Sequence, residues 1–469
     1  MKSRQTEEEL ATVPARAKQA GEAWGRWSWV EPSVWSERML TALEEGVKGG
    51  KWYSLIDKVS SLRNLRSAFA QVKRNDGSAG VDRVTIRMFE AHLEENVQHL
   101  SVSIKAGEYR PQAIRRVWIP KPGSREKRPL GIPTVRDRVV QAALRNVLEP
   151  IFERDLAAQS YGFRPERGTK DALRRVDELL KAGYVHVVDA DLKSYYDTIP
   201  RQPLLERVKD KVADSKVVDL LEAYLGQEVM ESAKHWTPER GTPQGAVLSP
   251  LLSNIYLDPL DHRMAHLGYE MVRYADDFVI LCRSQLEAHM ALLVVEEWTA
   301  SAGLQLHPEK TRIVDETQAG GFDFLGYHFE RGYRWPSRKS LRKIQDKIRA
   351  HTKRSSGHSL QRIISVLTPI QKGWFEYFKH SHWTALGNVD KWIRMRFRSI
   401  LRRRHGRKGA GRGKDHHRWP NAFFAELGLF SFKAAYEQNR QPSLRRTTNR
   451  RAGCGRSARP VRREGGPGT

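Results

Sequence analysis

Cysteine is nearly missing from this chain: two in 469 residues, Cys282 and Cys454, far apart and in unlike contexts. That excludes a disulfide framework and a CxxC zinc site, and it fits a reducing compartment. No apolar run approaches the roughly 20 residues that span a bilayer. The N-terminus, MKSRQTEEEL, is acidic and has no apolar core of the kind a signal peptide needs. The expectation is a soluble, cytoplasmic protein without a membrane partner. Acid is also scarce: 55 Asp plus Glu stand against 81 Lys plus Arg, a formal charge of +26. Such a balance points to a polyanionic partner. The excess is uneven, because residues 394–469 hold 21 Lys plus Arg against 4 Asp plus Glu and so carry +17 of it.

What is present divides the chain. Residues 1–50 mix charge with Trp24, Trp27, Trp29 and Trp35 and end in GVKGG, the signature of a joint. A mostly helical pattern follows to about 100, broken by NDGSAGVD at 75–82, whose Asn, Asp and glycines predict a loop. RRVWIPKPGSREKRPLGIPT at 115–134 has two short apolar runs around a basic Gly/Pro turn, a hairpin bearing Lys121, Arg125, Lys127 and Arg128. VRDRVVQAALRNVLEPIFERDL is apolar at helical spacing, and YVHVVDADL at 184–192 is a strand ending in acid. Strands and helices alternate to about 335. Helices studded with Arg, Lys and Trp then continue to Tyr436, and the remaining tail is too polar to pack.

The stretch VRYADDFVILCRS at 272–284 sets two adjacent acids, Asp276 and Asp277, between apolar runs. In a continuous strand one of them would enter the core, at a cost of several kcal/mol for an unpaired charge. A tight turn between MVRY and FVIL escapes that penalty by projecting both from a hairpin tip. Standing alone, the motif reads as a solvated hairpin. It has company in VVDADLKSYYD, where Asp189 and Asp191 share one strand face and Asp191 lies where the apolar run stops. Three converging carboxylates, Asp191, Asp276 and Asp277, suit two Mg²⁺ ions, because hard cations take oxygen ligands and a metal pair clamps both oxygens of a phosphoryl transfer. Asp189 and Asp197 read instead as a polar strand residue and a turn or helix-start residue.

YADD (274–277), RGTPQGAVLSPLLSNIYLD (240–258), DLKSYYD (191–197), RPLGIPTVRDRVVQAAL (128–144), SYGFRPERGTKDAL (160–173), GLQLHPEKT (303–311) and FDFLGYHF (322–329) together resemble the group II intron reverse transcriptases, the intron-encoded maturases. Seven blocks in the family's order, over roughly residues 60–335, are far more specific than a lone YxDD. The resemblance implies an α+β right-hand polymerase fold, with fingers and an antiparallel palm followed by a helical thumb/maturase domain. The expected boundaries are an N-terminal extension at 1–50, fingers at 51–180, palm at 181–335, thumb/maturase at 336–437 and a basic disordered tail at 438–469.

The roles it implies are specific. Asp191, Asp276 and Asp277, with the backbone carbonyl of Leu192, hold the two metals, and a primer 3′-hydroxyl attacks the α-phosphate of a dNTP. Tyr196 excludes a 2′-hydroxyl, although a core aromatic is the competing reading of that residue. Lys121 and Arg128 grip the triphosphate, Gln244 orders the templating pair, and Lys310 protonates or neutralises pyrophosphate. Arg164 and Arg167 are template or intron contacts. The region beyond the palm, with Trp374, Phe375, Tyr377, Phe378 and Trp392 among basic helices, binds intron RNA, most aromatics packing inside and Arg402, Arg403 and Arg404 meeting phosphate. His416 and His417 lack the paired cysteines of the endonuclease domain that many relatives carry, so the expected form is the one without it. The implied partners are group II intron RNA, a DNA primer or target and dNTPs, in a bacterial, nucleoid-associated setting. A splicing maturase that does not copy RNA, and a domesticated reverse transcriptase with a defence role, are the alternatives.

Overall fold

The computed structural model describes residues 25–120, 127–232 and 234–440. Trp24, Lys121, Arg125, Cys454 and the basic tail from residue 441 lie outside the described residues. The chain divides into two compact units, Met1–Tyr333 and Arg334–Thr469.

In the first unit the strands that matter are β1 (Ile114–Pro120), β2 (Lys127–Ile132), β3 (His186–Asp191), β4 (Val229–Glu231), β5 (Lys234–Trp236), β6 (Glu270–Tyr274), β7 (Asp277–Cys282) and β8 (Arg312–Asp315). They form two four-stranded sheets, ordered β2-β1-β4-β5 and β6-β7-β3-β8. The basic ribbon is an antiparallel β1–β2 pair, and β4 joins it parallel to β1. The second sheet is antiparallel throughout. Every residue from Phe278 to Cys282 in β7 is fully buried. Because successive side chains face opposite ways, both faces of this strand are covered, and its unbroken apolar run has that cause.

The helix Val135–Glu153 runs through the same core, buried along almost its whole length. Thr134 caps it, accepting the Asp137 amide at 3.1 Å and donating its hydroxyl to Asp137 at 2.8 Å. Asp137 is itself buried, satisfied further by the Tyr109 hydroxyl and the Gln112 amide. Burial raises its carboxyl above the usual range in spite of these donors. The NDGSAG loop lies against the start of this helix: a Cβ on Gly80 would come within 2.7 Å of the Thr134 Cα.

From residue 25 the tryptophan-rich segment is part of this core, not an appendage. Trp27 and Trp35 are buried, the Trp35 indole donates to the Asn146 carbonyl at 2.9 Å, and Trp27 donates to Glu44 at 3.1 Å. Large rings with a satisfied N–H combine the greatest apolar burial with no stranded donor.

The second unit has its own core, built from the helices Arg338–His351, Leu360–Phe378 and Trp383–Arg404 and the shorter helices after them. Phe375 and Phe397 are inside it, and Phe378 is buried as well. Asp390, also buried, accepts the Phe432 and Lys433 amides, each at 3.0 Å, and so pins the last helix, Phe432–Arg440. No described helix is long and apolar enough to cross a membrane.

Replacing Trp35 by Ala removes a fully buried ring and strands the Asn146 carbonyl. The expected destabilisation is about 3–5 kcal/mol, read as a lower denaturant midpoint for the first unit; a change below 1 kcal/mol would show the segment to be peripheral.

Candidate functional site: an acidic hairpin on a buried arginine

Tyr274 pairs with Asp277 across β6 and β7, which leaves Ala275 and Asp276 as a two-residue turn. One acid thus sits in the turn and the other opens the returning strand. Ala275 has φ 62°, a left-handed conformation that a residue with a Cβ adopts reluctantly. The surroundings impose it. Arg273 donates from Nη1 to the Ala275 carbonyl and to the Asn254 side chain, both at 2.9 Å, and its Nε reaches the two Asp261 oxygens at 2.8 and 3.0 Å. Arg273 and Asp261 are both 0% exposed at the side chain. Asn254 in turn donates to the Gly162 carbonyl at 2.8 Å. Backbone bonds from Arg273 to Gln159 and from Tyr161 to Arg273 stitch the SYGFRP segment to β6. The fit is close enough that a Cβ on Gly162 would stand 2.2 Å from the Ala275 nitrogen.

The third acid arrives by register. Asp191 is the direct antiparallel partner of Asp277, and directly opposed residues in such a pair present their side chains on the same face. Asp189 follows on that face, held by Arg312 at 3.3 Å. Burial, followed by repulsion from Asp189, Asp276 and Asp191, pushes the Asp277 carboxyl up to about 7. Asp276 is raised as well, by burial and by Asp191, against the pull of Arg273 and Lys310. Lys310 lies on Asp191 as an ion pair. As they stand, no three acidic or imidazole side chains among the described residues converge tightly enough to hold an ion. The donor set nonetheless suits hard cations: it is all oxygen and crowded with like charge, which together with burial raises both Asp276 and Asp277. Leu192 bridges to Leu306 through the Asp191 carbonyl and the Lys193 amide, so the bridge does not consume the Leu192 carbonyl.

The other candidates separate into groups. Tyr196 and Gln244 line one cavity together, and the Gln244 carbonyl accepts the Gly131 amide at 2.7 Å. Tyr196 is half-buried, its ring 5.5 Å from that of the fully buried Tyr195. Arg128 is exposed on β2 opposite Ile119, and its intended companion Lys121 lies outside the described residues.

Arg164 requires a correction. It is 7% exposed, and its guanidinium is consumed by Glu153 and by the carbonyls of Leu156, Ala157 and Ser160, leaving no donor for RNA. Arg167 stays half-exposed above the Tyr161 ring. The three consecutive arginines also differ: Arg402 is paired with the buried Asp415 at 2.8 Å, Arg404 donates to the His358 carbonyl, and Arg403 is exposed. Sequence reading missed Arg273, Asp261, Asn254 and Gly162. The available signal was Asn254 and Asp261, two polar residues seven apart among the buried, mostly apolar positions of the helix Ser249–His266.

The family described as "Reverse transcriptase (RNA-dependent DNA polymerase)" matches residues 119–329, and the "Group II intron, maturase-specific domain" matches 341–419. The chain is 31% identical to Protein YkfC of Escherichia coli (strain K12) over 65% of its own length and 86% of that protein. The chain belongs to the group II intron reverse transcriptase and maturase family. It is 39% identical to the group II intron-encoded protein LtrA of Lactococcus lactis subsp. cremoris over 38% of this chain and 30% of that protein. To the mitochondrial nuclear intron maturase 2 of Arabidopsis thaliana it is 28% identical, over 45% and 34%. The matched segments thus span about a third of those two relatives. In this family's terms, YADD is the hairpin that Arg273 and Gly162 hold.

Gly162→Ala drives a methyl into the turn backbone. Primer extension by the variant should fall at least about tenfold, the effect that a misplacement of roughly 1 Å has on a positioned site, with the thermal midpoint of the second unit unchanged. Wild-type extension would show that the turn yields without consequence.

Proposed function

We propose that the first unit copies RNA into DNA at the Asp191, Asp276 and Asp277 cluster, and that the second unit assists splicing by binding the intron. The carrying observation is the register that sets Asp191 directly opposite Asp277, beside an acid in the turn. Two Mg²⁺ ions held by these carboxylates and the Leu192 carbonyl would acidify a primer 3′-hydroxyl and offset charge on the α-phosphate and pyrophosphate. The remaining work falls to the chain. Arg273 holds the turn carbonyl, so Asp276 and Asp277 keep their places against mutual repulsion. Lys310, beside Asp191, carries positive charge to where pyrophosphate leaves. Tyr196 presents a half-buried ring to the incoming sugar, where a 2′-hydroxyl finds no room, and Gln244 orders the templating pair from the same cavity. Arg128 grips the triphosphate, with Lys121 as its partner. The substrates are then a DNA primer, an RNA template and dNTPs.

In the second unit the guanidiniums of Arg349 and Arg396 sit 5.4 and 5.5 Å from the Trp392 ring centre, a basic and aromatic surface that suits folded RNA.

Asp276→Ala with Asp277→Ala should abolish extension of a DNA primer on RNA while leaving intron RNA affinity within about twofold, since the basic surface lies in the other unit. Copying near wild-type level would remove the active-site assignment; lost copying with splicing assistance intact is the expected separation of the two activities. Tyr196→Val should raise ribonucleotide incorporation relative to deoxyribonucleotide by about tenfold or more, and an unchanged ratio returns Tyr196 to the core. For the maturase half, Arg403→Gln should weaken intron binding and lower its salt slope by roughly 0.7–0.9 without moving the thermal midpoint. Arg402→Gln should lower the midpoint, because it leaves Asp415 buried and unpaired.

A further inference from the structure

The cavity that Tyr196 and Gln244 share is lined by neither Asp191, Asp276 nor Asp277, and it carries three arginines: Arg116 of β1, Arg201 at the start of the helix Arg201–Lys209, and Arg240 before the Thr-Pro-Gln-Gly turn. Against them stands one acid, Asp197. The cavity holds about 140 Å³, and since a water needs only about 10–15 Å³ of such space, a hydrated phosphate group fits.

Some of its polar atoms are not satisfied from within. Arg201 Nε and Thr242 Oγ1 are buried without a hydrogen-bond partner. Burial disfavours the Arg201 charge, and no carboxylate offsets it. A buried donor left unpaired costs about 1–3 kcal/mol, more when it is charged, so a half-buried guanidinium at a cavity wall, its Nε without a partner, points to an anion that arrives from outside. Arg116 lies between two rings, 5.6 Å from Trp118 and 5.0 Å from Trp236, and Trp118 is 46% exposed. Interleaved aromatic and guanidinium groups are what single-stranded nucleic acid finds on proteins. Three arginines and one aspartate leave a charge near +2, which suits singly charged phosphodiesters better than a triphosphate that must also pass Asp197.

We infer that this cavity takes the backbone phosphate of an unpaired RNA template nucleotide just ahead of the copied position, with Arg201 and Arg240 as its ligands. The inference rests on the proposal that this unit copies a template, and it adds a grip on the strand still to be read.

The test compares two primer–template duplexes, one blunt and one with a five-nucleotide RNA 5′ overhang, binding to the full chain without dNTP or divalent metal. Wild type should prefer the overhang by about tenfold, the worth of one charge-assisted hydrogen bond. Arg201→Met and Arg240→Met should each lose most of that preference and about 0.7 of salt slope per lost contact, with blunt-duplex affinity unchanged. Arg201→Lys should recover part of it. Arg201→Met should also leave the thermal midpoint unchanged or raised, because it removes a partly desolvated charge that no carboxylate offsets, whereas a merely structural arginine would lower it. A preference that survives in Arg201→Met, an equal loss on both duplexes, or a raised KM for dNTP with overhang binding intact would overturn the inference. Failure of the wild type to extend primers would strike the copying proposal alone, because this binding measurement uses neither dNTP nor metal.

Discussion

A guanidinium that never meets water holds the acidic hairpin together. Arg273 binds Asp261 and Asn254 on one helix and reaches forward to the carbonyl of the residue before the two acids. Removing a charge pair from water costs several kcal/mol per ion, and the mutual attraction roughly repays it, so such a pair is a weak source of net stability. Its value here lies in direction. The acids repel one another and sit on a turn whose first residue has φ 62°; without a fixed donor on the turn carbonyl, both repulsion and backbone preference would open it. The SYGFRP segment closes over the same turn from the other side, with glycine at the one position where a side chain has no room.

How much of this is legible in the sequence depends on the range of the interaction. The paired strands are legible because their apolar runs and turn acids are local signals, and the helices beyond Tyr333 because their period is. The β3–β7 register is half-legible: acids at the ends of two strands suggest convergence, but only pairing decides that Asp191 opposes Asp277. Basic residues are the least legible, since a positive charge carries no mark of whether its partner is a phosphate or a distant carboxylate. Arg164 follows a loop that looks made for nucleic acid, and its partner is Glu153, eleven residues back. Arg402, Arg403 and Arg404 are identical in sequence and differ in structure because the helix turns about 100° per residue, sending one towards Asp415 and another into solvent.

The tryptophans of the first fifty residues show the same limit from the apolar side. Their spacing among charges suggests an extension, but Trp27 and Trp35 each place an indole N–H on a specific acceptor and bury the ring. Composition reports how much apolar surface a segment owns, and only the rest of the fold reports whether a receptacle exists for it. Lys310 on Asp191 is a related case, 119 residues apart in sequence: its positive charge is plain, and its carboxylate partner is visible only once the strands are laid out.

Cys282, the last residue of β7, is free, wholly buried and five positions from Asp277. Burial, with some help from Glu287, pushes its thiol up to about 12, so at physiological pH it is neither a nucleophile nor a ready target for oxidants. The route to it is opening of the strand that carries the acids. Its alkylation by a thiol reagent therefore keeps time with local unfolding of this antiparallel sheet, in the way amide exchange does for backbone, and the chain carries beside its acidic hairpin a chemical clock for its own breathing.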